Sequence, residues 1–117
     1  MNEELSFKVL HIGINCEDEN EADQITNDFK NLFFWEADEN PNSYFLNNDI
    51  EVLKYDYLGK NGHIAIGTND IKKAMKYLNS KGISFNQESA VYTANNDLKV
   101  IYMNQQIGGF ALHLTQL

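Results

Sequence analysis

A chain of 117 residues, 43% hydrophobic and 22% charged, is long enough to bury a core of its own and too short for two. Its formal charge of −8, with nine basic residues that are all lysine, argues against a surface built for nucleic acid or anionic lipid. No stretch reaches the ~20 apolar residues of a membrane span, "MNEELSFKVL" lacks the order of a signal peptide, and the single Cys16 suits a reducing compartment, so a cytoplasmic protein is expected.

The apolar period changes along the chain in an order that can be read twice. "FKVLHIGIN" (7–15) alternates, with Leu10, Ile12 and Ile14 on one face and Val9, His11, Gly13 and Asn15 on the other, the period of a strand. Asp18 followed by Glu21 has capping-box spacing, and Ala22, Ile25, Phe29, Leu32 and Phe33 then recur at helical intervals. "FFWEAD", the turn "ENPNS", the strand "YFL", the turn "NND" and the strand "IEVLKYDY" complete a β-α-β-β-β order. After the connector "LGKNG" the order returns. "HIAIG" is a strand, Asn69 or Asp70 caps a helix with Ile71, Ala74, Met75 and Leu78 on one side, and Gly82 suits its C-terminal end. "ISFNQESAVY", "LKVIYMN" and "FALHLTQL" follow as strands, divided by "ANND" and "QIGG". The expectation is one α+β domain over 1–117, made of two βαβββ modules (about 7–58 and about 62–117) that arose by duplication.

In a layered α+β fold, the apolar phase of each strand packs on the helices and the other phase faces away. The out-of-phase positions receive His11 in the first strand, Glu51 with Leu53 and Tyr55 in "IEVLKYDY", His63 in "HIAIG" and His113 in "FALHLT". Each of these alone is an ordinary residue of a wet sheet face. Together they are all three histidines and one carboxylate, placed on the first and last strand of each repeat. If the sheet curls, that face becomes a groove in which they converge, and imidazole with carboxylate suits Zn, Ni, Mn or Fe rather than Ca or Mg.

"NGHIAIG", the closing "GGFALHL" and the paired modules make the chain resemble the vicinal oxygen chelate superfamily, from about Phe7 to Leu117. The resemblance implies a curved mixed sheet, a half-barrel with helices on its convex face. It also implies a divalent transition metal held by His11, Glu51, His63 and His113. "YLGKNGHIAIGTND" and "IGGFALHLTQL" are similar, more narrowly, to a small bacterial domain associated with 2-keto-3-deoxy-6-phosphogluconate and 2-keto-4-hydroxyglutarate aldolases, which implies an aldolase as partner.

His113, as the last ligand where many relatives carry a carboxylate, makes a set of three histidines and one glutamate that leaves a divalent ion with about one net positive charge, which favours an anionic chelating substrate. The expected activity is a glyoxalase-like isomerase or lyase acting on a small 2-oxo or 2-hydroxy acid through an enediolate, with Glu51 moving the proton. Tyr55 and Asn15 are the candidate substrate-binding residues. The absence of arginine speaks against glyoxalase I itself. Two other readings stand beside this one: a non-catalytic module that binds a small molecule in the same groove, and an Fe(II) dioxygenase needing only two histidines and a carboxylate. A homodimer is expected from exposed strand edges and from Phe33, Phe34 and Trp35 near the first helix end.

Overall fold

The computed structural model describes residues 4–117; the first three residues of the expected 1–117 domain lie outside the described part. The strands and helices are β1 (Phe7–Ile14), α1 (Glu19–Phe33), β2 (Ala37–Glu39), β3 (Ser43–Leu46), β4 (Ile50–Leu53), β5 (Gly62–Thr68), α2 (Ile71–Ser80), β6 (Phe85–Tyr92), β7 (Leu98–Ile107) and β8 (Phe110–Gln116). They form one open eight-stranded mixed sheet in the order β2-β3-β4-β1-β5-β8-β7-β6, as the α+β, paired-module expectation requires. Among the described residues, no helix is long and apolar enough to cross a membrane.

The local signals act where the sequence places them. Asp18 accepts a hydrogen bond from the Glu21 amide and Asp70 one from the Lys73 amide, so each helix starts on a capped donor. The first helix ends on Phe34 in the left-handed region at φ 59°, a conformation more usual for glycine. The β7–β8 hairpin turns on Gly108 and Gly109, both at positive φ, which makes the turn tight enough for two residues.

Both helices cover one face of the sheet, and the core forms beneath them as two clusters. Under α1, Cys16, Ala22, Leu46 and Val52 are buried with Phe29, Trp35 and Ile50 packed against them. Under α2, Ile71, Ala74, Ile101 and Leu114 do the same with Ile66, Met75 and Phe85. Because α1 packs chiefly on β3 and β4 and α2 on β7 and β8, the central strands lie between the helices. Ile12, Ile14 and Ile64, expected in the core, are therefore only half-buried, whereas His63 and His113 on the opposite face are buried.

Several strand limits differ from those read in the sequence: Phe33 ends α1 and β2 begins only at Ala37, β6 begins at Phe85, and two further differences bear on the site. β4 stops at Leu53, so the "KYDY" expected to continue it leaves the sheet and carries Tyr55 and Tyr57 on the connector to β5. β7 runs on to Ile107, because Gln106 and Ile107 pair with Ala111 and Phe110 across the glycine turn.

Candidate metal centre

The four central strands each deliver one of the four expected side chains to the face that the helices leave uncovered: Glu51 from β4, His11 from β1, His63 from β5 and His113 from β8. Strand register explains how they meet. Gly13 pairs with Glu51 on one side and His63 on the other, while Ala65 pairs with His11 on one side and His113 on the other. Each pair of long side chains thus straddles a small residue, and the rings can lean inward over it. At Gly13 the need is absolute, since a Cβ there would overlap the His63 ring. The "HIGI" of β1 and the "HIAI" of β5 repeat this arrangement about the centre of the sheet.

The geometry at the centre is close. His11 Nε2 lies 3.2 Å from His63 Nε2, and Glu51 Oε1 lies 3.2 Å from His63 Nε2 and 3.7 Å from His11 Nε2. The three histidines each present a ring nitrogen within 4.8 Å of the others. Donor atoms held at about 2.0–2.1 Å around a tetrahedral ion stand roughly 3.3 Å apart, so the 3.2 Å separations of His63 from His11 and Glu51 suit one divalent transition ion, while any pair near the 4.8 Å limit must draw together to share it. The donor chemistry fits as well, because neutral imidazoles and one carboxylate are ligands such ions take.

Outer contacts fix the orientation of two of the groups. The Ser43 hydroxyl, itself fully buried, donates to Glu51 Oε2 at 2.8 Å and so turns Oε1 toward His11 and His63. The Thr115 hydroxyl lies 3.1 Å from His113 Nδ1, leaving its Nε2 free. His63 Nδ1 is buried with no hydrogen-bond partner among the described residues, and this ring packs against Gly13.

The electrostatics keep the imidazoles available as ligands. Burial, with the neighbouring His63 and His11, pushes the His113 pKa down to about 4. Burial also lowers that of His11, against the pull of Glu51. For Glu51 burial works upward, but the hydrogen bonds from His63 and Ser43 and the charge of the nearby histidines outweigh it, and its carboxyl titrates below the ordinary range.

Around this centre is an open cleft of ≈ 340 Å³ lined by His11, Phe45, Glu51, Leu53, Tyr55, Tyr57, His63, Val100, Tyr102 and His113. Tyr55 is therefore at the cleft, though from the connector and not from a strand. Asn15 is not among the lining residues. Its amide donates to the carbonyls of Tyr57, Leu58 and Gly59, at 3.0, 3.3 and 2.9 Å, and ties the connector to the end of β1. Sequence reasoning passed over Ser43, Tyr57, Thr115 and Tyr102. Thr115 shares its strand phase with His113 and could have been found. Tyr102 reaches the site only through its pairing with His113, which periodicity alone does not supply.

The duplicated β-α-β-β-β sheet with its donor cluster on the uncovered face places the chain in a class by architecture: it has the vicinal oxygen chelate fold. In particular, it is similar to methylmalonyl-CoA epimerase in complex with methylmalonyl-CoA and ammonium, at 17% identity and TM-score 0.63 over 93% of each chain. It is also similar to the methylmalonyl-CoA epimerase of Mycobacterium tuberculosis (16% identity, TM-score 0.62, 92% of this chain and 86% of that one). A hypothetical protein from Bacillus halodurans C-125 is alike to the same degree (17%, TM-score 0.62, 96% and 95%). Identities this low carry the fold alone. No protein-family model matches the sequence, and no curated protein matches it.

Proposed function

We propose that this protein is a metal-dependent isomerase that shifts a proton on a small 2-oxo or 2-hydroxy acid, with His11, Glu51, His63 and His113 as the ligand set. The observation that carries the reading is the meeting of His11, His63 and His113 from three adjacent strands, with ring nitrogens within 4.8 Å of one another, and of the Glu51 carboxylate from a fourth, 3.2 Å from His63 Nε2. The epimerase names of the similar structures support isomerisation, a rearrangement without net redox change, as chemistry this fold can host. A divalent ion held there would supply Lewis acidity toward two neighbouring oxygens of the acid as negative charge develops between them.

The chain's own residues do the rest. Among the described residues, Glu51 is the one carboxylate that lines the cleft, which makes it the group placed to accept a proton. Ser43 holds the far oxygen, so that proton transfer falls to Oε1. Tyr55, Tyr57 and Tyr102 can donate hydrogen bonds from the rim of the cleft. The narrower resemblance to a domain associated with 2-keto acid aldolases points to the same substrate chemistry.

Deuterium exchange tests the reading directly. Metal-loaded protein in D₂O should wash out the hydrogens next to the carbonyl of a bound 2-oxo acid, followed by NMR. Chelator treatment or Glu51→Gln should abolish the exchange. Exchange that is unaffected by both would exclude this mechanism.

The proposal includes a homodimer. The half-buried strip of Ile12, Ile14 and Ile64 between the helices, together with Leu32, Phe33 and Phe34 exposed at the end of α1, is apolar surface that a second copy can cover. Light scattering should give twice the chain mass, and a monomer throughout a dilution series would exclude it.

A further inference from the structure

The cleft is asymmetric in a way the ligand set does not use. From the donor cluster, aromatic rings run outward in one direction: Tyr102 stands 4.9 Å from the His113 ring, Tyr57 6.2 Å from Tyr102, and Tyr55 6.0 Å from Tyr57. The last two contacts are edge-on, with interplanar angles of 76° and 80°, so each pair uses one face of one ring instead of a face of both. Tyr55 and Tyr57 keep 41% and 46% of their surface exposed, although they lie beside a cleft floored by Leu53 and Val100.

This row is held in place. Its outer two members sit on the connector that leaves the sheet after Leu53, and the Asn15 amide binds three consecutive carbonyls of that connector, beginning with that of Tyr57 itself. A flexible loop tip would need no such clamp. Charge points the same way. Apart from the histidines, no basic residue among the described residues lines the cleft, and the Lys54 ammonium is bound to Glu39 at 2.5 Å. An anionic head can be met at the donor cluster, whereas a phosphorylated or carboxylated tail would find no cation along the row.

We infer that the acid taken by this site carries a flat aryl substituent, which lies along Tyr102, Tyr57 and Tyr55 while its two oxygens face the histidines. The inference rests on the metal-dependent reading above and adds to it the class of side chain on the substrate. Stacking and edge contacts with a planar ring distinguish it from mere apolar bulk.

Calorimetric titration of Zn²⁺-loaded protein with pyruvate, phenylpyruvate and 3-cyclohexyl-2-oxopropanoate separates these terms. Phenylpyruvate should bind at least about tenfold tighter than pyruvate and clearly tighter than the cyclohexyl acid. Tyr57→Ala and Tyr102→Leu should each reduce the phenylpyruvate advantage to about threefold or less, with Zn²⁺ affinity retained as a check on folding. Equal affinity for phenylpyruvate and pyruvate, or an advantage that survives both substitutions, would overturn the aryl subsite and leave the metal-dependent reading intact. Phenylpyruvate bound as tightly without metal, and still dependent on the tyrosines, would keep the subsite and remove the chelation reading. No binding of any of the three acids to loaded protein would end both.

Discussion

Gly13 and Ser43 carry no ligating atom, yet the position of two ligands depends on them. Replacing Gly13 with alanine puts a methyl group where the His63 ring lies, and the ring must swing away from Glu51. Competition with a chromophoric chelator should show metal affinity falling by about 10–100-fold in Gly13→Ala, the range seen when the supports of a metal ligand are lost. Ser43→Ala frees Glu51 Oε2 and should cost a similar factor in affinity. Unchanged affinity in both would mean that Glu51 and His63 do not bind the ion.

Protonation adds a further test at the same scale. In the metal-free chain, burial holds the folded His113 near 4, against 6.5 for the free group. Between those values the unfolded chain binds more protons than the folded one, so stability rises with pH and is lost on acidification. The melting temperature of chelator-treated protein should fall as pH drops from 6.5 toward 4, and His113→Asn should shrink the fall. That His11, Glu51, His63 and His113 share the uncovered face was legible in the sequence because strand phase alone separates them from the core residues on either side. Ser43 was not, since its contact with Glu51 depends on a cross-strand register that a turn of unknown geometry sets.

Elements were legible in kind and less so in extent. The two helices declared themselves through caps and period, and Asp18 and Asp70 do cap them. β4 and β7 were misjudged in length because alternation continues in "KYDY" after pairing has ended, and "QI" pairs although a glycine turn follows at once. Where a strand stops is decided by its neighbours' reach. The consequence is functional, since the early end of β4 creates the connector that brings Tyr55 and Tyr57 over the cleft. Asn15→Ala removes the clamp on that connector and should cost about 0.5–1.5 kcal/mol in urea unfolding, because one half-buried hydrogen bond and two exposed ones are lost. A change within error would show that the connector is held by other contacts.

At the scale of the whole molecule, the repeated β-α-β-β-β order is what brings the four side chains together. Two copies of a unit too small to close a groove lie side by side, with β1 and β5 antiparallel at the join. Each half gives a histidine from its first strand, His11 or His63, and one further side chain from its last, Glu51 or His113, so the cluster forms where the halves meet. The sequence reading reached this arrangement through the repeat. It missed that the helices, sitting over the outer strands, leave the central isoleucines half-covered, because helix placement across a sheet is a property of packing and not of period. Truncating a residue truly enclosed by a helix should cost far more than truncating one of these: Ile101→Ala, under α2, is expected to lose about 2–5 kcal/mol in denaturant unfolding, against much less for Ile64→Ala in a monomeric state.

The central claim is that His11, Glu51, His63 and His113 hold one ion. It is tested most directly by elemental analysis of the protein purified without a histidine tag or chelator, followed by titration of the stripped chain with Zn²⁺, Ni²⁺, Mn²⁺ and Fe²⁺. The expected result is close to one equivalent of a divalent transition metal per chain, restored by titration and lost when His63 and His113 are both replaced by alanine. A chain that emerges metal-free and takes up none of the four ions, or that binds them equally well without those two histidines, would contradict it.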